Sequence, residues 1–305
     1  MKSVDALLAG LVDYAGLFPP ASEDMRPALE SYASYLRGSD REALGRFIVP
    51  SSRLQELEDV GGDLMPRGKR EPPWHLSVLV AEDVSSAGEE MLAFNRSHSR
   101  STRGRAVIDL VEMKASTAEE IRHQKRDLPS ELTAFFEIPL TGDVRPLVKT
   151  IGSVGARAKM RTGGVTPQAF PPAQAIIDFM VACRRERVPF KATAGLHHPL
   201  RAEYRLTYES DSAKGMMYGF LNVFLAAALI YSGESEETAL AVLLETDPAG
   251  FAFDDAAIRW RDKVVTADQM AASRAGFAIA FGSCSFREPV DELARLTQKA
   301  RAADK

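Results

Sequence analysis

The feature that most constrains the fold of this chain is an alternation of short, apolar runs with longer amphipathic segments. The apolar runs are rich in β-branched and aromatic residues, which are typical of buried strands. Eight runs are interpreted as strands: 46–50, 75–81, 106–111, 133–140, 156–161, 188–194, 251–260 and 277–283. The helix-like segments between them include 116–125, 173–187, 216–232 and 290–302. Strands that alternate with helices predict βαβ units and a parallel sheet.

Eight βα units fit residues 46–305, because a (β/α)8 TIM barrel typically takes ~250 residues. An open, doubly wound sheet is the alternative, but neither GxGxxG nor GxxxxGK[ST] follows any of the apolar runs. The sequence therefore predicts an α/β protein whose residues 46–305 form a (β/α)8 TIM barrel. Residues 1–45 are expected to be an N-terminal extension packed on the barrel, either closing its bottom or covering its active mouth.

Composition and charge exclude several classes of protein. Lys and Arg number 38 against 42 Asp and Glu, and a net charge of −4 gives no global field for nucleic acid or an anionic membrane. Two distant cysteines, Cys183 and Cys284, provide neither a zinc cluster nor a disulfide framework. The apolar run 220–231 is too short to cross a bilayer. We expect a cytoplasmic protein without metal or cofactor that acts on a small-molecule substrate, and we leave open whether it forms a homo-oligomer.

Charged residues alternate with apolar ones along the middle strands. Because one parity of a barrel strand faces the lumen, five charged side chains are predicted to share one cavity: Asp109, Glu137, Lys159, Arg161 and Lys191. A buried charge without a partner is very costly, so these groups must pair with one another or with a ligand. An ion-pair network that only fills the barrel is the alternative to a catalytic site.

A lysine among other cations suggests covalent chemistry. Arg161 and Lys191 are expected to disfavour the ammonium form of Lys159, and a neutral amine attacks carbonyl carbons to form a Schiff base. We assign Lys159 as the nucleophile and Lys191 as the cation that tunes it. Asp109 or Glu137 would move protons.

Residues near the strand ends are candidates for substrate binding. Glycine-rich turns let backbone amides converge on an anion, which makes the turns at residues 163–164 and 282–283 a predicted phosphate site. One of the two adjacent histidines at 197–198 is expected to contact substrate or to carry a proton. The full predicted substrate-binding set is Arg161, Thr162, Gly163, Gly164, Thr193, His197, His198, Gly282 and Ser283.

These motifs resemble those of the deoxyribose-phosphate aldolase family, which are class I aldolase barrels. The family's K-x-x-T-G pattern is similar to the stretch from Lys159 to Gly163, and its K-A-[ST]-G-G pattern to the stretch from Lys191 to Gly195. Gly282-Ser-Cys-Ser resembles its phosphate loop, and Asp109 resembles its acid on the third strand. The resemblance implies a Schiff base on Lys159 and a phosphorylated substrate. Arg161 stands where the family has a small hydroxyl residue, so the relationship is a distant one.

Two further strings, at residues 13–21 and 281–286, resemble those of a bacterial protein family to which we attach no activity. The sequence thus predicts a lyase that acts on a small carbonyl compound, either with or without a phosphate group. Two alternatives stay open. One is a barrel enzyme such as a phosphoribosyltransferase or an isomerase, in which Lys159 and Arg161 bind an anionic substrate without covalent catalysis. The other is a non-catalytic, anion-binding barrel.

Overall fold

The computed structural model describes residues 1–303 except 69, 70, 82, 100 and 101. Its strands, in chain order, are β1 (Val12–Tyr14), β2 (Leu44–Pro50), β3 (Trp74–Val80), β4 (Ala106–Lys114), β5 (Thr133–Glu137), β6 (Arg157–Arg161), β7 (Phe190–Thr193), β8 (Ala202–Arg205), β9 (Lys214–Met217), β10 (Phe251–Phe253), β11 (Ala257–Trp260), β12 (Lys263–Thr266) and β13 (Ala278–Ser283). Strands β1–β7 and β13 are parallel and close into an eight-stranded barrel, because β13 pairs with both β7 and β1. The predicted (β/α)8 TIM barrel is confirmed.

The helices form a layer around this barrel. In chain order they are α1 (Lys2–Leu8), α2 (Met25–Arg37), α3 (Leu54–Gly61), α4 (Val84–His98), α5 (Ala118–Asp127), α6 (Arg145–Ser153), α7 (Ala173–Glu186), α8 (Phe220–Ser232), α9 (Glu236–Leu244), α10 (Ala267–Gly276) and α11 (Arg287–Ala303). Local signals set several ends. Thr117 and Glu120 form a capping box at the start of α5, and Gly233 ends α8 at φ +94°.

The N-terminal segment is part of the barrel wall rather than an extension packed on it. Residues 12–14 form β1, which lies between β2 and β13, so the expected division at residue 46 is wrong. A three-residue strand is too short to show the alternation from which strands are recognised in a sequence. The loop after β1 places Ala15, Phe18 and the two prolines at 19–20 over the mouth formed by the strand C-termini.

The predicted strand 251–260 is also wrong as a barrel strand. It divides into β10 and β11, which with β12 form a separate three-stranded antiparallel sheet. Another antiparallel pair, β8 and β9, lies in the long connection after β7. Barrel membership depends on which strands pair, and composition alone does not specify the pairing.

Helix α8 matches the expectation of a buried helix, with its residues from Phe220 to Ile230 all buried. It packs its aromatic residues against β13, where the rings of Phe220 and Phe281 stack at a centroid distance of 5.4 Å. Among the residues that the structure describes, no helix combines the length and apolar character needed to span a bilayer.

Candidate active site

Six charged side chains form a line of alternating sign across the barrel lumen, from β1 to the end of β6. The order is Asp13, Lys191, Glu112, Lys159, Glu137 and Arg161. The consecutive nitrogen–oxygen distances are 2.5, 2.6, 2.8, 2.7 and 3.3 Å. Three cations therefore balance three carboxylates, which is the condition under which charges are tolerated inside a protein.

Strand alternation places these groups in the lumen. Ala158 and Met160 of β6 pack into the apolar layer between barrel and helices, which leaves Lys159 on the opposite face. Likewise Phe190 and Ala192 of β7 join that layer, and Lys191 points inward. The predicted inward orientation of these two lysines agrees with their ion pairs.

Glu112 and Glu137 are held in their ionised form. Burial alone would raise the pKa of Glu112, but the ammonium groups of Lys159 and Lys191 outweigh burial and lower it well below its usual range. The pKa of Glu137 is lowered in the same way, against burial, chiefly by Lys159. Burial would lower the pKa of Lys191, and Asp13 and Glu112 reverse that effect and raise it.

The expectation that cations crowd Lys159 is wrong. Its Nζ lies 2.8 Å from Glu112 Oε2 and 2.7 Å from Glu137 Oε2, while the Nε of Arg161 is directed at Glu137 Oε1. The sequence reasoning missed Glu112, so it counted too few carboxylates. The charged partners that contact Lys159 are therefore two carboxylates rather than cations.

The two lysines differ in access. Lys191 is enclosed by Asp13, Glu112 and the ring of Phe135, and its side chain is 1% exposed. Lys159 instead reaches two adjoining cavities at the strand C-termini, of about 250 and 360 Å³. A small molecule that enters from the mouth meets Lys159 and not Lys191.

One oxygen of Glu112 has fewer partners than the other. Its Oε1 accepts hydrogen bonds from Lys191 Nζ and from the Ser77 hydroxyl, at 2.6 and 2.7 Å. Its Oε2 forms an ion pair with Lys159 Nζ at 2.8 Å. Among the described residues this buried atom has no hydrogen-bond donor. An unsatisfied buried acceptor beside a cavity is a natural partner for a ligand hydroxyl.

Asp109 is not part of this group, contrary to the expectation from its strand. It lies near the amino-terminal end of the barrel, where Arg46 donates to its two oxygens at 2.8 and 2.7 Å and His75 lies 3.4 Å away. Burial would raise the pKa of Asp109, but the hydrogen bonds from Arg46 and His75 lower it well below its usual range. There it forms an ion pair with Arg46.

The physical reason is a β-bulge in β4. Leu76 of β3 pairs with Ile108, but the next residue, Ser77, pairs with Leu110, so Asp109 is the extra residue. A bulge inverts the alternation beyond it. Glu112 is thereby turned into the lumen, whereas strict alternation placed it among the helices.

Asp13 is the second site residue that the sequence reasoning missed. It lies in the three-residue strand β1 and was assigned to the extension. Its Oδ1 accepts a hydrogen bond from the backbone N–H of Arg46, and its Oδ2 pairs with Lys191. One signal that could have found it is a single acidic residue between two apolar ones, Val12 and Tyr14, which are both fully buried.

The remaining predicted substrate-binding residues fall into two groups. Those that line the cavity around Lys159 are Arg161, Gly164, Thr193, His197 and Gly282. The others make internal contacts. The Thr162 hydroxyl donates to the carbonyls of Thr193 and Ala194, and Gly163 lies against Phe170. The Ser283 hydroxyl accepts a hydrogen bond from the N–H of Ser285. His198 pairs with Glu292, and its ring stacks on that of Tyr204. In the described part of the chain no group of three His, Cys, Asp or Glu is placed to hold a metal ion.

Comparisons with known proteins add little to this geometry. No family model matches the chain, and no curated protein matches it. The chain is similar to a solved structure of nitroalkane oxidase from Streptomyces ansochromogenes at 14% sequence identity, covering 99% of this chain and 100% of that chain, with a TM-score of 0.36. A likeness at that TM-score carries no argument about activity.

Proposed function

We propose that this barrel is a lyase that cleaves a carbon–carbon bond in a small carbonyl compound through a Schiff base on Lys159. The observation that carries the proposal is the position of the Lys159 amine. It faces a cavity, and two carboxylates lie within 2.8 Å of its Nζ. An amine with adjacent proton acceptors is the arrangement that imine chemistry requires.

The first half of the reaction makes the imine. Lys159 gives a proton to Glu137, and the neutral amine attacks the carbonyl carbon of the substrate. The resulting carbinolamine loses water when Glu137 returns a proton to its hydroxyl group. The product is a protonated imine covalently attached to Nζ.

The second half breaks the carbon–carbon bond. A hydroxyl on the carbon β to the imine gives its proton to Glu112 Oε2, the oxygen that lacks a hydrogen-bond donor among the described residues. The electrons of the cleaved bond move into the protonated imine and form an enamine, and an aldehyde leaves. Protonation of the enamine carbon by Glu112 and hydrolysis of the new imine restore Lys159.

Lys191 acts through Glu112. Because it holds Glu112 Oε1 at 2.6 Å, it fixes the direction of Oε2 toward Lys159. Lys191 is a positioning residue, since its enclosed side chain does not reach the cavity.

A phosphate group on the substrate remains a prediction. Arg161, whose side chain is 47% exposed at the mouth, could pair with an anionic group. After β13, the backbone N–H of Glu288 donates to the Ser285 hydroxyl at 3.2 Å, so that N–H already has an acceptor within the protein. The test therefore uses both phosphorylated and uncharged compounds.

The experiment is exchange of the hydrogens next to the carbonyl with D2O, followed by NMR, over a panel of small aldehydes and ketones. An imine on Lys159 makes those hydrogens acidic, so the protein should catalyse their exchange. Lys159→Arg should abolish exchange, and Glu137→Gln should slow it by about 10²–10⁴-fold. Lys149→Arg, an exposed change on α6, is the matched control and should leave it unchanged.

Circular dichroism of each variant checks that it is folded. If folded Lys159→Arg keeps most of the exchange activity, covalent catalysis at Lys159 is wrong. Binding of anionic substrates by charge alone would then be the better interpretation.

A further inference from the structure

A second group of reactive side chains lies on the wall of the cavity that Lys159 reaches. Cys284 and His197 both line that cavity, and the Cys284 Sγ is 3.8 Å from His197 Nδ1. Glu288 Oε2 lies 3.3 Å from the same imidazole nitrogen. The Tyr208 hydroxyl donates to Glu288 at 3.0 Å and lies 3.6 Å from the sulfur.

Separate parts of the chain bring these groups together. His197 follows β7, Tyr208 lies between β8 and β9, and Cys284 and Glu288 flank the start of α11. The Schiff-base chemistry proposed above uses none of them.

The surroundings favour a charged imidazole. Burial would lower the pKa of His197, but its contacts with Cys284 and Glu288 outweigh burial and raise it to about 9. An imidazolium beside a sulfur stabilises the thiolate form of that sulfur. The other cysteine of the chain lacks such partners, because Cys183 is fully buried in the apolar core and burial raises its pKa well above its usual range.

We propose that Cys284, paired with His197, is a nucleophilic thiolate that binds small aldehydes covalently in the cavity. The sulfur attacks the carbonyl carbon, and the electron pair of the C=O double bond moves to the oxygen. That oxygen takes the proton of the His197 imidazolium, which leaves a hemithioacetal and a neutral imidazole. The reverse steps release the aldehyde, so no oxidant or reductant is needed.

The test is the rate at which iodoacetamide alkylates each cysteine of the native protein at pH 7, measured by peptide mass spectrometry. Cys284 should react at least about tenfold faster than Cys183, the internal control. His197→Gln should slow alkylation of Cys284 about tenfold or more, because the imidazolium is lost. Tyr208→Phe alters a half-exposed side chain and should slow it by a smaller factor. Equal rates for the two cysteines, or an unchanged rate in both variants, would overturn the thiolate.

Acetaldehyde tests the covalent adduct. It should protect Cys284 from alkylation in the wild type and equally in Lys159→Arg, which cannot form a Schiff base at that position. Protection that disappears in Lys159→Arg would mean that an imine on Lys159 had blocked the cavity, and the hemithioacetal would be wrong. Because alkylation reports on the thiol and Lys159→Arg removes the amine, failure of one proposal is distinguishable from failure of the other.

Discussion

Replacing Lys191 by methionine tests whether the alternating line of charges is as tightly coupled as its geometry indicates. Lys191→Met removes the cation between Asp13 and Glu112, whose oxygens lie 2.5 and 2.6 Å from its Nζ. Asp13 keeps the N–H of Arg46, and Glu112 keeps Ser77 and Lys159. Removing one partner of a buried ion pair costs ~3–5 kcal/mol, because the other charge stays buried. We expect a loss of that size in the free energy of unfolding at pH 7.

The loss should depend on pH in a defined direction. The pKa of Glu112 in the folded wild type is lowered, so its pairing stabilises the fold above the ordinary pKa of a glutamate, ~4.3, and this contribution fades as the pH falls below it. In the variant Glu112 lacks its partner Lys191, so acidification lowers the free energy of unfolding of the variant by less than that of the wild type. The difference in stability between wild type and variant should therefore shrink from pH 7 to pH 3.

Urea unfolding followed by tryptophan fluorescence at both pH values measures this difference. Lys149→Met, an exposed change, should stay within about 0.5 kcal/mol of wild type. Adding Glu112→Gln to Lys191→Met removes one of the stranded charges and should recover part of the loss, with a coupling energy of roughly 0.5–3 kcal/mol. A loss under about 1 kcal/mol at pH 7, equal at both pH values, would refute the coupling.

Two further predictions concern residues at the amino-terminal side of the barrel. Arg274 is buried and donates to the backbone carbonyls of Leu7, Ala9, Ala278 and Ile279, so it ties the segment after α1 to β13. Arg274→Met removes one donor from each of these four carbonyls and should cost at least about 3 kcal/mol in urea unfolding; a cost under about 1 kcal/mol would contradict this. Asp109→Asn should cost at most about 1 kcal/mol, since the ion pair is one-third exposed, and it should leave carbonyl exchange rates within about twofold of wild type. A large loss of exchange in folded Asp109→Asn would return Asp109 to the catalytic set.

The sequence was sufficient to predict the barrel and the inward direction of Lys159 and Lys191. Both lysines lie on strands where apolar neighbours alternate cleanly, as Ala158 and Met160 do beside Lys159. In such strands the side-chain period of two decides which residues face the lumen. The predicted and observed side-chain orientations agree on these two strands because the alternation of their side chains is not interrupted.

Two acidic residues of the site could not be identified from the alternation of side chains. Glu112 faces the lumen because Asp109 forms a bulge, and a bulge depends on pairing with β3 rather than on the local sequence. Asp13 belongs to a strand of three residues, which becomes recognisable only from its pairing with β2 and β13. The charge balance of the site differs from the prediction as a result, because both missed residues are carboxylates.

The most direct test of the proposed chemistry is to locate a trapped imine. The protein is incubated with a carbonyl compound that it exchanges, reduced with borohydride, digested and mapped by mass spectrometry. We predict a stable adduct on Lys159, with none on the enclosed Lys191 or the exposed Lys149. An adduct confined to other lysines, or no adduct with any compound that shows exchange, would contradict Schiff-base catalysis at Lys159.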